Sequence, residues 1–359
     1  FIPREVPIQM DGVFTIRRKE DADNLKSYLD NTKLPSNEQK VVVVGGGLLG
    51  LEISAALRDI GINITIIQRA SRLMERQLDK VASRLLAEDV LEREIPIYFN
   101  NEVSTVFKKD DGPNLEVNLK SGRTIQCHAI VYAIGTRPNI ELAKLAQLKT
   151  NRGIRVNEYL QSSTPEVFAI GEIAEFKEQL FGITAAAEQQ ADVAARYING
   201  DLTSIYQGST LMNILKFADL DLCSIGRINV PENDSSYEEV IFSDMRARYY
   251  KKCVIQNDLL VGAILLGDKS EFAEYRSLIE NKIELSDKRN ELLRPQKLSP
   301  PVKGKIICSC NNVGVGNLED KIAEGCTEFK ALCEQTGAGL GCGSCKPEVR
   351  ALLNESLAK

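Results

Sequence analysis

Apolar positions along this chain fall into three patterns: unbroken β-branched runs, helical stripes and short alternating stretches. The run Val41-Val42-Val43-Val44 predicts a strand buried on both faces. It leads straight into Gly45-Gly46-Gly47-Leu48-Leu49-Gly50, with glycines at G-x-G-x-x-G spacing. Residues 53–60 repeat apolar positions at helical spacing, and Gly61 supplies a left-handed C-cap. A second strand is expected over 62–67, a helix over 79–92 and a third parallel strand over 96–99. Residues 103–108, 115–119 and 124–125 alternate as a meander, with turns at Asp110-Asp111-Gly112 and Ser121-Gly122. Residues 129–134 form another buried run, ended by Gly135-Thr136-Arg137-Pro138-Asn139.

Upstream, residues 13–16 are apolar, 20–29 carry an amphipathic helical stripe and 33–38 are a polar connector. Downstream, Val167-Phe168-Ala169-Ile170 predicts a buried strand ending in Gly171-Glu172, followed by an alanine-rich helix over 184–198. Residues 201–290 predict a small α+β domain. Its clearest feature is a hairpin across Asn257-Asp258, with a helix after it over 271–281. The mixed Tyr and Lys of residues 249–252 read as strand surface. Pro295, Pro300 and Pro301 among charges predict an extended linker. Beyond it, two short helices are expected at 318–324 and 328–335.

The 359 residues suit two or three domains, at roughly 100–200 residues each. A net charge of -5 argues against nucleic acid as a partner. No apolar run reaches the length of a membrane span, and no signal peptide is visible. Nine cysteines, an odd number, point to a reducing cytoplasm with thiols as ligands or core residues. The chain opens on Phe1 and reads as a piece of a longer protein. Its close soon after the last cysteine pair reads as a natural C-terminus.

Strand, glycine loop, helix and strand together make a dinucleotide-binding unit. Gly45 permits the tight turn, Gly47 admits a pyrophosphate, Gly50 lets the helix sit close, and the helix N-terminus attracts phosphate. Where an acidic residue usually meets the ribose 2′-hydroxyl stands Gln68, with Arg69 after it and Arg72 nearby. That set is compatible with a 2′-phosphate and with a plain ribose, so NADH and NADPH both remain open. Arg69 and Arg72 also read as solvated loop residues. Glu172 could hold a ribityl hydroxyl or simply close a strand. Cys308-x-Cys310 and Cys342-x-x-Cys345, 31 residues apart, make a tetrathiolate metal site. A [2Fe–2S] cluster is expected; zinc usually takes pairs spaced by two to four residues. Cys326 and Cys333, seven apart, read as core on one helical face. The chain's one histidine, His128, offers little for acid–base work, and no catalytic side chain is expected.

Residues 41–52 resemble the NAD(P)H-binding half of the FAD-dependent pyridine nucleotide reductases. Leu73-Met74-Glu75-Arg76-Gln77-Leu78-Asp79 is more specifically similar to the reductase portion of assimilatory nitrite reductase large subunits. Gly135-Thr136-Arg137-Pro138-Asn139 and Ala169-Ile170-Gly171-Glu172 match the same family. The cysteine pattern resembles the bacterioferritin-associated ferredoxin type of [2Fe–2S] domain, which follows the flavin module there and in some assimilatory nitrate reductases. The resemblance spans nearly the whole chain. It implies that Gly45, Gly47 and Gly50 bind the NAD(P)H pyrophosphate, that Glu52 lies near the nicotinamide and that Gly135 lies along the dinucleotide. It implies FAD on Gly171 and Glu172, and the cluster on Cys308, Cys310, Cys342 and Cys345.

The departures carry expectations too. The family's first FAD strand and glycine loop have no counterpart; Phe1-Ile2-Pro3 matches the stretch just after them. This chain by itself is therefore expected to bind FAD poorly or not at all, and to be incompetent alone. The sirohaem cysteine pattern and a molybdopterin segment have no counterpart either, so nitrite reduction is expected elsewhere. The expected class is α/β: a Rossmann-like NAD(P)H domain (38–150) inserted in an incomplete FAD domain (1–37 and 151–200). A small α+β domain (201–290), a linker (291–304) and a small helical [2Fe–2S] domain (305–359) follow. The implied function is electron transfer from NAD(P)H through FAD to the cluster, and on to a nitrite or nitrate reductase catalytic domain upstream or on a partner. The alternatives are a ferredoxin or rubredoxin reductase-like enzyme with a separate acceptor, and a non-enzymatic iron–sulfur docking module.

Overall fold

The computed structural model describes residues 10–109, 115–217, 219–231, 234–286, 289, 292 and 301–357. Phe1-Ile2-Pro3, the turn expected at 110–112, and Pro295 and Pro300 lie outside the described residues. The chain divides into two compact units. The first runs to Thr136 and adds Leu215–Asp221 and Met245–Arg248; the second holds Arg137–Ile214, Leu222–Asp244 and the chain from Tyr249 onward.

In the first unit the elements are β1 (Val13–Thr15), α1 (Lys19–Asn31), β2 (Lys40–Val44), α2 (Leu48–Asp59), β3 (Asn63–Ile67), α3 (Lys80–Glu92), β4 (Ile97–Tyr98), β5 (Val103–Lys108), β6 (Leu115–Leu119), β7 (Thr124–Cys127) and β8 (Ala129–Tyr132). Five strands form one parallel sheet in the order β1-β8-β2-β3-β4. The β-branched runs form its centre because both faces are covered. On one face α2 packs against β2 and β3. On the other, Val42, Val44, Ile130 and Tyr132 share a core with Val106, Leu115, Val117 and Leu119 of the antiparallel β5-β6-β7 sheet.

Two differences from expectation appear here, in β1 and α2. Residues 13–31, expected in an FAD-domain remnant, supply β1 to the dinucleotide sheet, because Val13–Thr15 pairs in parallel with Ile130–Tyr132 of β8. The helix α2 starts at Leu48, inside the glycine loop, and not at residue 53. Gly50 lies within its first turn, where a missing side chain costs helix propensity but allows close packing. His128 is a structural acceptor, taking the Lys40 N–H on Nδ1 at 2.9 Å.

The second unit opens with α4 (Glu141–Leu145), β9 (Ile154–Val156), β10 (Ala174–Phe176), β11 (Gln179–Leu180) and α5 (Thr184–Ile198). Val167-Phe168-Ala169-Ile170 is not a buried strand. One antiparallel bridge, Gln161 to Phe168, is its ladder contact among the described residues, and Val167 and Ile170 are exposed. Next come β12 (Met212–Phe217) and β13 (Leu220–Gly226), whose residues 215–217 and 220–221 are counted with the first unit, then β14 (Tyr237–Asp244), β15 (Tyr249–Gln256), β16 (Leu259–Leu266) and α6 (Phe272–Glu280). Their sheet order is β12-β13-β16-β15-β14. Asn257 and Asp258 both take positive φ, 50° and 55°, the two-residue hairpin turn whose twist matches the strands.

The Lys and Tyr of β15 are not surface. Tyr250, Lys251 and Lys252 are buried, Lys251 completely. Glu271 pairs with Lys251, and Glu239 pairs with Lys252 at 2.7 Å. Cys253 and Ile255 of β15 pack against Phe272, Tyr275 and Leu278 of α6, and the buried lysines are carried by their carboxylate partners.

The unit ends in a small lobe of β17 (Ile306–Cys308), β18 (Val313–Gly314), α7 (Val315–Ala323), α8 (Phe329–Thr336) and α9 (Lys346–Leu357). Its core combines Cys308, Cys310, Cys345, Leu318, Leu332, Val349 and Leu353. The sequence reading had no helix after Cys345; α9 supplies two of those core residues. Among the described residues, no helix is long and apolar enough to cross a membrane.

Candidate functional site

The glycine loop leaves β2 at Gly45, whose φ of +115° is open to glycine alone. A Cβ on Gly45 would stand 2.4 Å from the Ala133 carbonyl oxygen, and one on Gly50 would stand 1.9 Å from the Gly45 oxygen. Strand, loop and helix are thus in backbone contact. A Cβ on Gly47 would meet nothing within 4 Å. Gly47 is the N-cap of α2, and no side chain caps that end. Its first-turn N–H groups and the dipole behind them make an anion site.

The end of β3 closes this loop from the side. Gln68 is buried. Its Oε1 accepts the Gly46 N–H at 2.8 Å, and its Nε2 donates to the Arg72 carbonyl at 2.9 Å. The amide therefore braces the loop. Arg69 is exposed, while Arg72 donates from its guanidinium to the Glu75 carbonyl at 3.0 Å, leaving a buried Nε with no partner. Leu73 and Met74 are buried against the loop. Met74 donates its N–H to the Gly46 carbonyl at 2.9 Å, and a Cβ on Gly46 would meet Leu73 at 2.5 Å. This bracing role was not legible in the sequence; the signal for it is Met74 at φ 46°, which no periodicity reveals.

Glu52, one turn into α2, accepts the Lys216 N–H at 3.0 Å. Gly135 follows β8 at φ +100°, exposed, with nothing within 4 Å of an added Cβ. All these residues lie in the first unit, at the carboxyl ends of the parallel strands, where open α/β sheets place ligands.

Gly171 and Glu172 lie in the second unit, on a 3-10 turn before β10. Gly171 has φ +77° and donates its N–H to Gln190 Oε1 at 2.6 Å. Gln190, fully buried on α5, passes the network on to the Tyr206 hydroxyl at 3.2 Å. The Glu172 carboxylate reaches within 3.7 Å of where a Gly182 Cβ would stand, next to the uncapped start of α5. Gln190 is another support missed at the sequence level, masked by its place in an alanine-rich polar helix.

The four paired cysteines come together in the small lobe. Cys308, Cys310 and Cys345 are buried and Cys342 half-buried. The Cys310 thiol donates a hydrogen bond to the Cys342 sulfur at 3.2 Å, and both cysteines are free of disulfides. Cys308 is held far below the usual thiol range by hydrogen bonds from the Cys310 and Cys345 thiols, helped by the Gly339 and Asn311 N–H groups. Cys310 and Cys345 are pushed up, first by the same bonds to Cys308. The Cys342 N–H also faces Cys310, and the Gly339 N–H faces Cys345. Gly339 and Gly343 take φ +76° and +79°, and a Cβ on Gly341 would stand 2.6 Å from Cys310 Cβ.

These residues fit an iron–sulfur cluster: buried sulfur donors with backbone N–H groups turned toward them stabilise thiolates. Among the described residues no three His, Cys, Asp or Glu side chains converge on a point that would hold a single ion. The thiols form a chain instead, Cys345 to Cys308 to Cys310 to Cys342. The C-x-C spacing of Cys308 and Cys310 is also less typical of zinc than pairs two to four residues apart. Cys326 and Cys333 are core residues, but Cys326 precedes α8 and does not share its face.

Comparison with known proteins adds the family. Residues 2–191, more than half the chain, match the family described as pyridine nucleotide-disulphide oxidoreductase. The chain belongs to that family. Residues 212–283 match the rubredoxin NAD+ reductase C-terminal domain, and residues 306–355 the BFD-like [2Fe-2S] binding domain. FAD and NAD(P)H are the cofactors implied by the first, and a [2Fe–2S] cluster, not zinc, by the last. The chain is 33% identical over 355 residues to "Nitrite reductase [NAD(P)H]" of Bacillus subtilis, covering 96% of this chain and 43% of that protein. It is 32% identical to the "Assimilatory nitrate reductase electron transfer subunit" of the same organism, covering 95% and 44%. The chain thus spans less than half the length of these curated relatives. The fold is similar to that of a ferredoxin reductase from Rhodopseudomonas palustris, with a TM-score of 0.67 at 22% identity over 77% of this chain and 66% of that one. The sequence expectation of an α/β FAD-dependent NAD(P)H oxidoreductase with an appended cluster domain is borne out.

Proposed function

We propose that this chain is the electron-transfer portion of an assimilatory nitrite or nitrate reductase. Bound FAD would supply two-electron chemistry toward NAD(P)H and one-electron chemistry toward the [2Fe–2S] cluster, which would relay one electron at a time between its ferric and ferrous states. The chain's residues bind and position. Gly45, Gly47 and Gly50 with the start of α2 hold the pyrophosphate, and Gln68 keeps that loop in shape. Arg69 and Arg72 flank the ribose 2′ position, where they favour a 2′-phosphate without requiring one. Glu52 and Gly135 border the nicotinamide half. Gly171 and Glu172 hold the flavin side, and Cys308, Cys310, Cys342 and Cys345 hold the iron. The reading divides the chain as the sequence suggests from residue 38 onward, and places it in a reducing compartment. The final acceptor is a catalytic domain outside residues 1–359.

The observation that carries this reading is a glycine loop open at Gly47 and an N–H-lined set of four thiols in one chain. The test uses the parent protein loaded with FAD and cluster. Added NAD(P)H bleaches first the flavin and then the cluster band, and nitrite or nitrate reoxidises both. Bleaching of the flavin alone would contradict the proposed route. A second reading, a reductase with a separate carrier protein, draws on the rubredoxin reductase match at 212–283. Reoxidation by added rubredoxin or ferredoxin, and not by nitrite or nitrate, would favour it.

A further inference from the structure

Two contacts tie the cysteine-bearing end of the small lobe to the rest of the second unit. Lys346, next in sequence to Cys345, pairs through Nζ with Glu188 of α5 at 2.6 Å. Ile214 of β12 packs against both the lobe's core and that of its own sheet, and a Cβ on Gly341 would stand 3.4 Å from its Cδ1. Both contacts lie at the thiols. Gly341 abuts Cys310, and the Lys346 stem lies over Gly339 and Gly343, within 3.1 Å and 3.7 Å of their added Cβ positions.

The other side of the ion pair is just as placed. Glu188 is four residues into α5, about 6 Å along its axis at 1.5 Å per residue. Its neighbour Ala187 is the side chain nearest Gly171, at 3.8 Å from an added Cβ. The helix that meets Lys346 is therefore the helix whose Gln190 fixes the Gly171 N–H.

We propose that Lys346, Glu188 and Ile214 are positioning residues that hold the thiol end of the cluster lobe against α5 and β12, and so set the rate of the flavin-to-cluster electron step. The step is the one balanced above: one electron leaves the reduced flavin and one ferric iron becomes ferrous. This inference rests on the proposed function for its consequence, but the docking stands on contacts of this chain alone. One exposed pair shifts a docked-to-undocked ratio by up to about fivefold, so the effect is graded.

The experiment has two readouts. Amide hydrogen exchange of the full chain, with no electron donor, follows residues 184–190 and 341–350 in wild type, Glu188→Lys and the swap Glu188→Lys/Lys346→Glu. Stopped-flow reduction of the loaded parent protein separates flavin bleaching from cluster bleaching. The inference expects Glu188→Lys to speed exchange in both segments and slow cluster bleaching several-fold, with flavin bleaching unchanged and the swap restoring both. Ile214→Ala gives the same pattern without touching a charge. Unchanged exchange in Glu188→Lys and Ile214→Ala overturns the docking. Changed exchange with an unchanged cluster rate overturns its role in transfer. If wild-type flavin is not reduced by NAD(P)H at all, the proposed function fails while the exchange result still decides the docking.

Discussion

At the scale of single residues, the glycines of the loop separate folding from binding. Gly50→Ala places a methyl group 1.9 Å from the Gly45 oxygen. The helix must move off the loop, at a cost of about 1–3 kcal/mol for overpacking. Thermal melting is expected to show the loss and dinucleotide affinity to fall with it. Gly47→Ala meets nothing within 4 Å and has an extended backbone. Its melting temperature is expected to fall far less than that of Gly50→Ala, by no more than the loss of a glycine N-cap, while affinity for NAD(P)H drops at least about tenfold, or ~1.4 kcal/mol, in a calorimetric titration. Equal affinities would remove the pyrophosphate from this place.

His128 gives a residue-scale pH dependence. Burial, then the nearby Lys40 charge, lowers its pKa in the folded chain. Below the ordinary histidine value the unfolded chain therefore binds more protons than the folded one, and stability falls as pH falls. The neutral ring's contribution is fully present above about 6.5 and is lost as pH drops through the folded value. His128→Asn keeps an acceptor for the Lys40 N–H without titrating. Urea unfolding between about pH 7.5 and 5.5 is expected to show a smaller drop in stability for the variant than for wild type.

At the scale of elements, the buried Lys251–Glu271 pair between β15 and α6 is the sharpest test of packing. Removing one partner strands a charge among Cys253, Phe272 and Tyr275. Glu271→Ala is expected to cost about 3–5 kcal/mol in urea unfolding, whereas Lys251→Met/Glu271→Leu recovers most of it, because an apolar pair needs no desolvation. This pair was illegible in the sequence. Lysine in a strand reads as exposed, and α6, more than a dozen residues away, is what covers it. The same reasoning explains the segment at Val167-Phe168-Ala169-Ile170, whose composition is right for a buried strand but which has one bridge partner. By contrast, the glycine loop, the Asn257-Asp258 hairpin and α5 were legible because local chemistry dictates them: positive φ, turn twist, and an unbroken helical run. Of the candidate site, the glycines and the four cysteines were readable from spacing. The supports were not, since Gln68, Met74 and Gln190 act through contacts to Gly46, Arg72 and Gly171 that only folding brings together.

At the scale of the whole molecule, the proposed function stands on the small lobe. An N–H-lined chain of four thiols has no purpose in a protein that only binds dinucleotide. Cys310→Ser removes one of the two central sulfurs of that chain and is expected to abolish iron binding while leaving dinucleotide affinity intact, measured on the same preparation. The measurement that goes most directly to the central claim is iron and acid-labile sulfide content of the anaerobically purified chain, with its visible spectrum. The account predicts two irons and two sulfides per chain and a charge-transfer band that dithionite bleaches. Stoichiometric zinc with neither iron nor sulfide would contradict it.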